Sequence, residues 1–155
     1  MKIVFIGAGN LATNLGKALS RAGHDIAQVY SRTEESAKTL ALALKCPCTT
    51  QPTEVLKSAD VYVIAVKDTA IQSVAYALCE GREGQLFVHT AGSISVDILP
   101  TVRRGVFYPM QTFSKQKEVD FSIVPCFVEA QNDSDLQLLK DLAGTISDTV
   151  YEMNS

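Results

Sequence analysis

The sequence predicts an α/β fold: a doubly wound, mostly parallel sheet with helices on both faces. Two observations predict it. Short apolar runs alternate with segments of helical spacing along the whole chain, which is the pattern of repeated strand–helix–strand units. The first of those runs leads directly into a glycine-rich turn, Gly7-Ala8-Gly9-Asn10-Leu11-Ala12, that opens a helical segment. Size is compatible: 155 residues, 46% hydrophobic and 20% charged, form a single domain with a core of its own.

Lys2 to Ile6 reads as a strand buried on both faces. Leu11, Leu15, Ala18 and Leu19 recur at helical spacing, and Gly23 sits just past the expected end of that helix. Ile26 to Tyr30 is a second strand. Thr33 is placed to cap the following helix, with Glu34 and Glu35 in its first turn and Ala37, Leu40, Ala41 and Leu44 as its apolar stripe. A short third strand is expected at Cys48 to Thr50, then a brief helix at Val55-Leu56. Val61 to Val66 is a fourth strand, and Asp68 or Thr69 is expected to cap a helix carrying Ile71, Val74, Ala75 and Leu78. Leu86 to His89 and Gly105 to Tyr108 are further strands. Ser122 to Glu129 is another, with Pro125 suggesting an edge or a bulge. Leu136, Leu139, Leu142 and Ala143 mark a late helix, and Thr149 to Met153 a last strand. Residues 114–120, the most polar stretch, are expected to form a mobile surface loop. No linker or repeat divides the chain, so residues 1–155 are taken as one dinucleotide-binding domain.

The glycine turn matches G-x-G-x-x-[G/A] in the context that makes the pattern informative, after a strand and before a helix. Gly7 permits the tight turn, Gly9 lets backbone approach a pyrophosphate, and Ala12 is small enough for close helix–strand packing. The helix N-terminus offers unpaired N–H groups and partial positive charge to the phosphates. This is a Rossmann-type unit. An NAD-binding version carries an Asp or Glu at the end of the second strand to hold the adenosine ribose. Here that stretch is Ser31-Arg32-Thr33. Hydroxyls can donate to a 2′-phosphate, and the guanidinium can pair with it. One such charge-assisted bond contributes about 1.5–3 kcal/mol. The cofactor expected is therefore NADP, with NAD less favoured. Folds that bind S-adenosylmethionine also use a glycine-rich first turn, but usually keep an acidic residue at this same position.

Three further segments carry a family resemblance. Ile64-Ala65-Val66-Lys67-Asp68-Thr69-Ala70-Ile71 resembles a segment of pyrroline-5-carboxylate reductase-like and F420-dependent NADP oxidoreductase-like proteins, with Lys67 where many of them have proline. Val88-His89-Thr90-Ala91-Gly92-Ser93 and Gly105 to Phe113, which includes Pro109-Met110-Gln111-Thr112-Phe113, are similar to segments of the Rossmann-like DUF2520 family. Tyr108 stands where a histidine is common in that family. The resemblance spans nearly the whole chain. It implies an oxidoreductase whose C-terminal helical domain, absent from this chain, completes the active site and a homodimer.

Ligands of a doubly wound sheet sit beyond the carboxyl ends of its strands. By that rule Val66, Lys67 and Asp68 join the glycine turn and Ser31, Arg32 and Thr33 as cofactor-binding candidates. His89 is the candidate proton donor, because its titration near neutral pH suits carbonyl or imine reduction. Its competing reading is a histidine that holds loops through hydrogen bonds. Thr90, Gly92, Ser93, Gln111 and Thr112 are candidates on the substrate side.

The net charge of −3 argues against nucleic acid as a partner, since phosphate tracking needs a basic stripe. No apolar run reaches the roughly 20 residues of a membrane span, and no signal peptide is recognisable, so a cytoplasmic location is expected. The four cysteines lack the second Cys/His pair of a structural zinc site and read as reduced thiols. The function expected is hydride transfer to or from a small imine, ketone or hydroxy acid. The alternatives are a non-catalytic NADP-binding sensor or scaffold and an S-adenosylmethionine methyltransferase.

Overall fold

The computed structural model describes residues 1–155. Eight strands form one sheet in the order β3-β2-β1-β4-β5-β6-β7-β8. They are β1 (Lys2–Ile6), β2 (Asp25–Tyr30), β3 (Cys48–Thr49), β4 (Val61–Ile64), β5 (Phe87–His89), β6 (Arg104–Pro109), β7 (Cys126–Ala130) and β8 (Val150–Glu152). The first six run parallel. β7 is antiparallel to β6, and β8 runs with β7. The helices are α1 (Asn10–Arg21), α2 (Glu34–Leu44), α3 (Ile71–Cys79) and α4 (Asp133–Gly144). The chain starts at β1, builds outward to β3, then returns to the other side of β1 at β4. The strand order reverses between β1 and β4, and a crevice opens at such a switch point.

Strand side chains alternate between the two faces. Ile3, Phe5, Val61, Val63 and Val88 face a core completed by Leu15 and Leu19 of α1, Leu40 and Leu44 of α2, and Leu139 and Leu142 of α4. Val4, Ile6, Tyr62, Ile64 and Phe87 face a smaller core closed by Ile71, Ala75 and Leu78 of α3. One face thus carries three helices and the other a single helix with irregular segments. Arg82 pins one of those segments. Buried to 3% exposure, it donates to the carbonyls of Pro52, Val55 and Leu56 and to Leu78 and Glu80 on its own side. Tyr62 stacks on Phe87 at 4.5 Å and donates its hydroxyl to Leu56.

Several local expectations shift. Val55-Leu56 is not helical; the turn is a 3-10 helix at Pro52–Glu54, and Val55 is buried in extended backbone. β4 ends at Ile64, and Val66 lies beyond it. Neither Asp68 nor Thr69 caps a helix. They belong to a 3-10 turn, Asp68–Ala70, that runs into α3 without a side-chain cap. Ser122 lies in another 3-10 turn whose N–H is taken by Asp120, so β7 starts only at Cys126. Pro125 precedes that strand and marks no edge, because β7 lies between β6 and β8. The polar stretch 114–120 is tied to α1 near both ends: Asn14 donates to the Ser114 carbonyl at 2.8 Å, and Arg21 pairs with Glu118 at 2.6 Å.

Candidate functional site

Gly7 follows β1 with φ +109° and donates its N–H to the Tyr30 carbonyl at 2.8 Å, which joins the turn to the end of β2. A Cβ on Gly7 would run into the Ala65 carbonyl, with the carbonyl carbon 2.8 Å away. Fold and backbone conformation therefore both require glycine there. Gly9 is different. It is the N-cap of α1 with φ −82° and ψ −161°, a conformation open to any residue, and a Cβ there would meet nothing within 4 Å. The fold does not require glycine at position 9, and the open space lies over the N-terminus of α1. That terminus has no side-chain cap and no acidic residue in its first turn. Its first intrahelical bond is Thr13 N–H to the Gly9 carbonyl at 3.0 Å, so the N–H groups of Asn10, Leu11 and Ala12 have no partner in the helix.

A cavity of about 370 Å³ opens beside this turn, between the ends of β1, β2 and β4 and the start of α3. Its volume lies in the range of small-molecule sites, roughly 300–1,000 Å³. Of the cofactor candidates, Gly7, Ala8, Gly9, Ser31, Arg32, Thr33, Val66 and Lys67 line it. Asn10, Leu11, Ala12 and Asp68 do not: Ala12 is fully buried beneath the turn, and Asp68 is exposed away from the wall. No carboxylate lines the cavity. Arg32 and Lys67 are exposed, and neither enters an ion pair. Thr33 occupies the N-cap position of α2, yet its hydroxyl makes no capping bond. The polar side chains of Ser31, Arg32 and Thr33 thus have no protein partner and face a cavity with two cations.

Sequence reasoning missed Tyr30, Ser36, Ala65, Ala70, Ser73 and Val74 in this wall. A signal was present for three of them. Ala70, Ser73 and Val74 have the i, i+3, i+4 spacing of one helix face, beside the stripe that Ile71, Ala75 and Leu78 bury. A wider hollow of about 580 Å³ lies at the far end of α1, among Arg21, Glu118, Phe121 and Thr145. It touches neither the glycine turn nor the end of β2 and is bridged by the Arg21–Glu118 pair.

The remaining candidates gather at the ends of β5 and β6. His89 is fully buried. Its Nδ1 accepts the Ala91 N–H at 3.1 Å, which leaves Nε2 as the protonated nitrogen, 3.2 Å from the Ser95 carbonyl it donates to. Burial lowers its pKa, against the opposing pull of the Ser95 and Ile94 carbonyls and of the Asp68 and Glu129 charges. The imidazole is therefore neutral, with both nitrogens committed to the 89–95 loop. Thr90 is buried and donates to the Ile64 carbonyl. Gly92 lies against the ring of Tyr108, where an added Cβ would come within 2.5 Å of Cε2. Ser93, Gln111 and Thr112 are exposed. None of these residues lines the cavity beside the glycine turn.

Comparison with known proteins places this geometry. The family model described as NADP oxidoreductase coenzyme F420-dependent matches residues 2–92. No curated protein matches the chain. Among solved structures, a Bacteroides fragilis protein designated an NADP oxidoreductase is 51% identical over 99% of the chain, with a TM-score of 0.94, and the match covers 60% of that protein. Prephenate dehydrogenase from A. aeolicus, solved with hydroxyphenyl propionate and NAD+, shares the fold at 16% identity and TM-score 0.84, over 99% of this chain and 60% of its own. Pyrroline-5-carboxylate reductase from Coxiella burnetii does so at 21% identity and TM-score 0.78, over 99% of this chain and 58% of its own. The chain thus spans about 60% of the length of these similar proteins.

Proposed function

Because this chain belongs to the family of coenzyme F420-dependent NADP oxidoreductases, a family that binds a nicotinamide dinucleotide, we propose that it is specifically an NADP(H)-binding domain. The observation that carries this reading is the join between the bare N-terminus of α1 and a carboxylate-free cavity holding Arg32 and Lys67. The N–H groups at the start of α1 take the pyrophosphate. Ser31, Arg32 and Thr33 take the 2′-phosphate, and Lys67 adds a second positive charge across the cavity.

Bound there, the nicotinamide supplies or accepts a hydride. The reaction class we propose for the complete enzyme is reduction of a small imine or ketone, or the reverse oxidation of a hydroxy acid, with a C-terminal helical domain closing the cleft in a homodimer. A non-catalytic sensor or scaffold is the second reading. It is favoured by His89, whose two nitrogens are both engaged, so the histidine that the sequence offers as proton donor is held by its own loop.

Calorimetric titration with NADP+ and NAD+ tests the cofactor. NADP+ is expected to bind at least about tenfold tighter, and Arg32→Ala to remove most of that margin. Tighter binding of NAD+, or no effect of Arg32→Ala, would overturn the assignment. NADPH turnover against imines, ketones and 2-oxo acids by a full-length relative separates the enzyme from the sensor.

A further inference from the structure

The segment from Met110 to Val124, between β6 and β7, packs through Phe113, Phe121 and Val124 on the three-helix face. Phe113 and Phe121 stack at 5.5 Å within the core that also holds Leu15, Val63 and Val88, filling the space between α1 and α4. Its first part is anchored by one side chain. Asn14, 7% exposed, donates from Nδ2 both to the Asn10 carbonyl at 2.9 Å and to the Ser114 carbonyl at 2.8 Å. Asparagine is a poor helix former, and burying its amide costs free energy unless it is bonded. The bond within α1 could be dispensed with, since a plain helix needs none. The bond to Ser114 is what the amide adds, and it ties this segment to the first turn of α1.

That turn is where the pyrophosphate belongs in the cofactor reading, on which this inference rests. The adenine half then lies in the cavity on the β2 side of the switch point. The nicotinamide half must extend the other way, over the ends of β4, β5 and β6. Met110, Gln111 and Thr112 leave the end of β6 there, all three exposed. Gln111 accepts the Thr112 N–H through Oε1, which leaves its amide N–H groups without a partner.

We propose that Asn14 is a positioning residue: it holds Met110–Ser114 against the first turn of α1, so that Gln111 and Thr112 form the wall that meets the nicotinamide ribose and carboxamide. The segment then reads the half of the cofactor that the cavity beside the glycine turn does not reach.

The test compares two probes on the same chain, NADP+ and adenosine 2′,5′-bisphosphate, which carries only the adenine half. Asn14→Ala is expected to weaken NADP+ about tenfold and to leave the bisphosphate within about twofold, since one or two hydrogen bonds are lost at one end only. The pair Gln111→Ala and Thr112→Val, on exposed side chains that do not support the fold, is expected to give the same split. A purely structural role for Asn14 would lower the melting temperature and weaken both probes alike. Equal losses, or none, in Asn14→Ala and in the surface pair overturn the proposal. If the unaltered chain binds neither probe, the cofactor reading falls and takes this role with it. If it binds both and the split is missing, only the role of Asn14 falls.

Discussion

Helix α4 begins with its own partners in place. Asn132 accepts the Asp135 N–H at 2.7 Å, the Asp135 carboxylate grips Arg103 through two bonds of 2.8 and 3.2 Å, and Asp133 adds negative charge to the first turn. Helix α1 begins with no side-chain cap, no acidic residue and an open space at Gly9. The two starts lie at opposite ends of the sheet, since α4 follows the antiparallel strand β7 and α1 follows β1. Unpaired N–H groups at a helix start need partners. Where the chain supplies them the helix is a structural element, and where it withholds them an anion can take their place. The bare start is also the one beside two unpaired cations.

Gly9→Asp makes α1 resemble α4, and is the most severe test of that contrast. A carboxylate at the N-cap is expected to raise stability by about 0.5–1 kcal/mol while displacing the phosphates. NADP+ binding should fall by at least about a hundredfold, from lost charge-assisted bonds and added repulsion. Thermal melts and titration of the same sample read both quantities, and unchanged binding would break the comparison. Asp135→Ala makes the converse change. It removes the carboxylate that accepts from both Arg103 and the Asn132 amide, while the Asn132 cap on the backbone N–H of that residue remains, for a loss of about 2–3 kcal/mol seen in denaturant melts, with cofactor affinity unchanged. A binding loss there would mean that the two ends are coupled.

The smallest effect expected concerns His89, which belongs to neither start. Its folded pKa lies below its ordinary value, so the unfolded chain binds a proton that the native chain refuses. The neutral histidine's contribution is therefore fully present above the ordinary histidine range and lost as pH falls through it. Chemical melts from pH 7.5 downward should show stability declining with acid in that range, and His89→Gln should flatten the slope. Identical slopes in both proteins would restore a free, titrating histidine at the end of β5.

Much of the cofactor side was legible in the sequence because its signals are local. β1, the turn and α1 lie within twenty consecutive residues, and periodicity and glycine placement set them directly. Ser31, Arg32 and Thr33 were legible by their distance from the turn. Capping was read less well. Thr33 stands at the right position without making its bond, and Asp68 was displaced by a 3-10 turn, because a cap depends on side-chain direction as well as residue type. The segment between β6 and β7 was the least legible. Its polar residues advertise a loop, while Phe113, Val119 and Phe121, which pack it onto the core, follow no regular spacing.

The glycine turn shows how the two sources of information divide. Sequence alone determined the doubly wound fold and the glycine turn that opens α1, because strand, turn and helix N-terminus are set by neighbours along the chain. Only the tertiary structure separated Gly7, which the fold requires, from Gly9, which it does not. It also commits both nitrogens of His89 to its own loop and draws Asn14 and Ser114 together across a hundred residues. These are matters of what lies beside a residue in space, and residues distant in sequence decide them.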